Sequence, residues 1–137
     1  MNDLFAALFE FFGTLPVTPV RNDLFNFVYI PAGFALLLAT FVWTVLFYQG
    51  FILWRQRARF DTVLSWLVWM LISAFMTTLI VWIITISTFQ NEGKDYTTSD
   101  YLDFLCMVFF WSLVLYFLYS IPLRYSNPAR RKVPFRL

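Results

Sequence analysis

Three long stretches without a charged side chain constrain the fold of this chain more than any other feature. They cover residues 24–54, 62–91 and 104–123. About 20 apolar residues in a helix cross the ~30 Å hydrocarbon core of a bilayer, so each stretch is long enough to span a membrane. In addition, 61% of the residues are hydrophobic and only 13% are charged, whereas about a quarter are charged in soluble domains. The sequence therefore predicts an all-α integral membrane protein with three transmembrane helices.

We predict a single membrane domain over residues 1–137, in which short connectors separate the spans. Pro122 lies where the third span is predicted to stop or kink, because proline disfavours the helix interior. In chain order the predicted segments are an interfacial helix (1–13), a connector (14–23), the first span (24–54), an inner loop (55–61), the second span (62–89), an outer loop (90–99), the third span (100–122) and a basic inner tail (123–137).

The basic residues predict how the chain lies in the membrane. Eight of the ten basic residues fall between the first two spans or after the third, while Arg21 and Lys94 are the two on the other side. Cytoplasmic loops carry an excess of Lys and Arg, so we expect the N-terminus outside and the C-terminus in the cytoplasm, in a bacterial inner membrane or an equivalent energy-transducing membrane. The residues expected to meet anionic lipid or a partner are Arg55, Arg57, Arg59, Arg130, Arg131 and Lys132.

The first twelve residues predict a short amphipathic helix that is too short to span. Asp3 and Glu10 fall on one side of this helix, and Phe5 and Phe9 fall on the other. This pattern is typical of a helix that lies in the plane of a membrane interface. The alternative is that the phenylalanine side packs against protein.

Small and hydroxyl side chains share faces on all three spans, and such faces let helix backbones approach closely. A polar pathway along the second span is the alternative interpretation of its hydroxyls. We expect the lone Cys106 to be a small buried apolar side chain. The residues predicted to pack helices together or contact a partner are Ala35, Ala39, Ser73, Thr77, Ser112 and Tyr116.

The sequence lacks the residues that most membrane chemistry requires. It contains no histidine and one cysteine, and no Asp, Glu, Lys or Arg lies in the central part of any span, where pumps and ion-coupled transporters carry them. We therefore predict no enzymatic activity, no metal, no cofactor, no small-molecule substrate and no nucleic-acid partner. The many aromatic rings are expected to face lipid or a larger apolar partner, with a membrane pigment or quinone as the less favoured alternative.

These observations favour a non-catalytic accessory subunit of a larger membrane complex, whose partners are other integral-membrane subunits and lipid. A second hypothesis is a homo-oligomeric pore, because three spans, an outside N-terminus and a short basic tail resemble the architecture of phage holins. That resemblance covers the architecture and no residue motif. A third hypothesis is a membrane enzyme, which would need its active site in the acidic loop over residues 92–103.

Overall fold

The computed structural model describes residues 1–11, 19–50 and 63–126. Within this part of the chain all regular structure is helical. A short helix, α1 (Asn2–Phe9), precedes three long ones, which are α2 (Pro19–Gln49), α3 (Val63–Asn91) and α4 (Leu102–Ser126). The three long helices are apolar and long enough to cross a membrane. Each of them packs against the other two, so together they form a three-helix bundle.

Helix α2 begins at Pro19, five residues before the predicted start of the first span. The predicted connector is therefore wrong over residues 19–23, which are helical. Proline favours the first turn of a helix, because its missing N–H has no partner to lose there. A π-helical turn follows over Leu24–Val28, in which the Tyr29 N–H bonds the Leu24 carbonyl. This wider turn ends three residues before Pro31, which cannot donate a backbone hydrogen bond.

The end of α3 shows why the chain turns after residue 91 rather than 89. Gly93 adopts a left-handed backbone with φ of 65°. Its N–H bonds the Gln90 carbonyl and the Lys94 N–H bonds the Phe89 carbonyl. This is a Schellman motif, which uses the carbonyls that a helix end leaves without partners. Glycine is favoured at this position because other residues are strained there.

Helix α4 begins two residues after the predicted start of the third span and ends four residues beyond its predicted end. A 3₁₀ turn over Thr98–Tyr101 precedes it, and Thr97 and Asp100 cap that turn reciprocally. The helix then continues to Ser126 with Pro122 inside it, so of the two outcomes predicted at Pro122 the helix does not stop there. A proline removes one backbone hydrogen bond, and a long helix packed along its length retains the others.

Helix α1 packs against the bundle on its phenylalanine side. Phe9 contacts Tyr29, with ring centroids 5.3 Å apart. Phe5, one turn earlier in α1, lies directly on Gly33, one turn later in α2. This pairing means that α1 runs antiparallel to α2. Both phenylalanines are buried, so this side of α1 meets protein. This agrees with the alternative prediction that the phenylalanine side of the N-terminal helix packs against protein.

Candidate functional site

The hydroxyl residues predicted to contact a partner lie inside the chain's own bundle. Ser73, Thr77, Ser112 and Tyr116 are completely buried against the other helices of this chain. Their contacts are therefore intramolecular, and they offer no surface to another protein. These faces are buried within a single chain, because each of α2, α3 and α4 packs against the other two.

The two alanines of the predicted set lie elsewhere. Ala35 and Ala39, one turn apart on α2, are half-buried at the surface of the bundle. Leu38 and Val42 beside them are 63% and 51% exposed. On this partly exposed face of α2, the small side chains of Ala35 and Ala39 therefore lie beside two larger ones. The six basic residues predicted to meet lipid or a partner lie outside the described residues.

Most hydroxyls within the spans bond carbonyls of their own helix. Thr44 donates to the Thr40 carbonyl at 2.7 Å, and Ser120 donates to the Tyr116 carbonyl at the same distance. The side chains of Thr40, Thr77 and Ser112, one from each long helix, are completely buried and have no hydrogen-bond partner within the described part of the chain. The interior of the bundle is thus polar in places, and the buried polar side chains among the described residues are those of threonine and serine.

Indole N–H groups connect the long helices where they pack together. Trp66 of α3 donates to the Ser120 hydroxyl of α4 at 3.1 Å. Trp69 of α3 donates to the Trp43 carbonyl of α2, also at 3.1 Å. A buried indole needs such a partner, because an unpaired N–H in an apolar environment is costly. Part of the aromatic content therefore holds the bundle together and does not face lipid.

A charged network at the other end of α2 fastens α1 and was not predicted from the sequence. Arg21 donates through Nε and Nη2 to the two carboxylate oxygens of Glu10. The Tyr29 hydroxyl donates to Glu10 Oε1 at 3.1 Å. The Trp111 indole of α4 donates to the Leu8 carbonyl at 2.6 Å. The only sequence signal was that Glu10 and Arg21 are opposite charges on the same side of the membrane.

A second network lies at the same end and joins α2 to the α3–α4 loop. Lys94 Nζ lies 3.1 Å from Asp23 Oδ2, and the Tyr96 hydroxyl donates to the same oxygen at 2.6 Å. The hydrogen bond to Asp23 is the main cause that raises the pKa of Tyr96. Both basic residues predicted for this side of the membrane are thus paired with acids. We call this part of the bundle the polar end.

The pairing of Glu10 predicts how acid affects the docking of α1. The hydrogen bonds from Arg21, with a smaller contribution from Tyr29, hold the Glu10 pKa below its ordinary value despite partial burial. A carboxylate with a lowered pKa contributes stability above its unfolded pKa, and that contribution is lost as the pH falls through the lowered value. We expect the thermal unfolding midpoint in detergent to fall with pH in the range below about 4.3, the ordinary pKa of glutamate.

The control for this pH dependence is Glu10→Gln, which keeps the shape of the side chain and removes its titration. Its midpoint should be lower than that of the wild type at neutral pH and should change less between neutral and acid conditions. An equally steep loss of stability in both proteins would assign the acid sensitivity to other carboxylates.

An open cleft lies beside the Glu10–Arg21 pair. Its volume is about 490 Å³, within the size range of small-molecule sites, roughly 300–1,000 Å³. It separates α1 from the beginning of α2. The residues that line it are Asp3, Ala6, Glu10, Arg21, Asn22 and Phe25.

The acids of the loop over residues 92–103, where a membrane enzyme would need its active site, cap a turn or lie exposed. Asp100 accepts hydrogen bonds from the Thr97 N–H and hydroxyl, so it caps a helix. Glu92 and Asp95 are exposed. No group of three metal-ligating side chains occurs among the described residues. The expectation of a buried Cys106 is wrong: its side chain is exposed, because it lies on the side of α4 that turns away from the bundle.

Comparison with known protein families, with curated proteins and with solved structures finds no match to this chain. The arrangement of three apolar helices is compatible with a membrane location.

Proposed function

We propose that this protein is a small, non-catalytic accessory subunit that binds the transmembrane helices of unlike chains in a membrane complex. The observation that carries this proposal is the face of α2 around Ala35 and Ala39. Of the six residues predicted to pack helices together or contact a partner, these two alanines lie at the surface of the bundle. Small residues one turn apart allow close approach of a second helix, and van der Waals packing drives helix association in membranes.

The proposed placement has the polar end outside the cytoplasm and the basic tail inside. Two cysteine variants test it in a Cys106→Ser background. Thr97→Cys should react with a membrane-impermeant maleimide in intact cells, whereas Ser126→Cys should react only after permeabilisation, because positively charged segments stay in the cytoplasm. The reverse labelling pattern would contradict the proposed orientation.

The partner face can be tested by adding bulk to it. In the double variant Ala35→Leu/Ala39→Leu, we expect the recovery of unlike chains to fall about tenfold after extraction in mild detergent, since overpacking costs about 1–3 kcal/mol. Mass spectrometry of co-migrating chains measures the recovery. The matched control is Ile72→Phe/Ile83→Phe, which adds bulk to exposed positions of α3 and should retain the partner.

The holin hypothesis differs from this proposal in a measurable way. In a homo-oligomeric pore, polar side chains must line the space between chains, but Ser73, Thr77 and Ser112 are buried within one chain. Recovery of the protein as a homo-oligomer alone, together with dye leakage on induced expression, would replace the accessory-subunit proposal with the pore hypothesis.

A further inference from the structure

We propose that the cleft between α1 and α2 binds the zwitterionic headgroup of an aminophospholipid of the phosphatidylethanolamine type. The argument begins with the position of the cleft. It lies at the polar end, where Glu10, Arg21, Asp23 and Lys94 form their ion pairs. Charged side chains at the ends of spans mark the headgroup region, because they are costly in the hydrocarbon core. In the membrane placement proposed above, on which this inference rests, a lipid headgroup is therefore the ligand at the highest local concentration there.

The phosphate side of the cleft is Arg21. A guanidinium has five N–H donors, and the structure commits two of its nitrogens, Nε and Nη2, to Glu10. The remaining donors belong to a side chain that is 40% exposed and lines the cleft. Glu10 holds the guanidinium in place, and Asn22 adds an amide next to it. Planar guanidinium groups bind phosphate oxygens through such free donors.

The ammonium side of the cleft is Asp3. Its side chain lines the same cleft, and it makes no ion pair or hydrogen bond within the described part of the chain. Glu10, in contrast, already accepts three hydrogen bonds, two from Arg21 and one from Tyr29. One acid is thus satisfied within the chain and the other is available to a ligand cation. Beside the Glu10–Arg21 pair, the cleft thus offers the free guanidinium donors to a phosphate and the Asp3 carboxylate to an ammonium, the two charged groups of a zwitterion.

The apolar surroundings agree with a lipid rather than a soluble aminophosphate. Phe25 lines the cleft and is half-buried. Acyl chains attached to a headgroup in the cleft can lie along this ring and along the apolar bundle. A soluble ligand would gain nothing from these apolar contacts, because it has no chains to bury.

The test is the lipid that the purified full-length protein retains. The protein is reconstituted into vesicles of equal parts phosphatidylethanolamine, phosphatidylcholine and phosphatidylglycerol, re-extracted in mild detergent, and its bound lipid is quantified by mass spectrometry. We expect selective retention of phosphatidylethanolamine, because its primary ammonium donates hydrogen bonds to Asp3 and a choline cannot. Asp3→Asn should lower this retention about tenfold, the effect of losing one charged hydrogen bond.

Two further variants separate binding from folding. Asp3→Glu keeps the charge and should retain most of the lipid, whereas Glu92→Gln removes an exposed acid of the same end and should change nothing. Equal retention of the three lipids, or retention that Asp3→Asn does not alter, would overturn the proposal. Displacement of the bound lipid by millimolar soluble phosphoethanolamine would overturn the choice of a lipid over a soluble aminophosphate. Failure of the protein to enter the vesicles would instead contradict its proposed placement in a membrane.

Discussion

Replacing both Ser73 and Thr77 with leucine should destabilise the three-helix bundle itself. The two side chains are completely buried where α3 meets the other long helices, so each leucine adds bulk where backbones approach. Overpacking a well-packed interior typically costs about 1–3 kcal/mol at each site. Insertion into the membrane should not suffer, because leucine is favourable in a bilayer. We expect normal amounts of the variant in membranes and a clearly lower unfolding midpoint in detergent.

The comparison for this variant is the pair Ile72→Phe/Ile83→Phe on the same helix. These positions are 44% and 58% exposed, so larger side chains there meet lipid and should leave the midpoint nearly unchanged. If the leucine pair were as stable as the wild type while the phenylalanine pair unfolded early, the inward and outward faces of α3 would be the reverse of those in the structure.

Adding a side chain at Gly33 should release α1 from the bundle. A Cβ atom at this position would lie 2.3 Å from ring atoms of Phe5, so Gly33→Val requires the ring to leave its site. A helix of eight residues is not stable alone in water, and undocked α1 should therefore lose its protection. We expect amide hydrogen exchange over residues 2–9 to accelerate about tenfold or more, given the usual cost of overpacking.

The control for Gly33→Val is Leu38→Phe, which enlarges an exposed side chain on the same helix. Its α1 amides should exchange at the wild-type rate. A second variant, Gly33→Val combined with Phe5→Ala, removes the clashing ring and should recover part of the stability of the long helices without restoring α1. If α1 stayed fully protected in Gly33→Val, the docking of α1 would not depend on the absence of a side chain at Gly33.

Sequence patterns located the three apolar helices but not their ends. Pro19, Gly93 and Pro122 show why. The sequence pattern places Pro19 in a connector although proline suits a first helical turn, and Gly93 ends α3 through a motif that needs the backbone geometry to be recognised. At Pro122 the sequence allows either a stop or a kink, and the structure has α4 continuous to Ser126 despite the loss of one hydrogen bond. Each of these residues is compatible with two local structures, and packing with the neighbouring helices selects one of them.

The same distinction applies to the candidate site. Periodicity identified Ala35, Ala39, Ser73, Thr77, Ser112 and Tyr116 as packing positions, because small and hydroxyl residues share faces at helical spacing. It could not tell a neighbour within the chain from a neighbour in another chain. The structure divides the set, with Ala35 and Ala39 at the surface and the other four inside.

The sequence by itself determined the class of fold, since charge-free stretches of this length leave a backbone no stable conformation in hydrocarbon other than a helix or a closed barrel. It also determined the asymmetry of charge between the two ends. Only the tertiary structure decided that α1 docks on Gly33, that Glu10 pairs with Arg21 and that a cleft opens beside Asp3. These features depend on side chains from separate helices meeting in space, and a distance between helices is not encoded in any local pattern of residues.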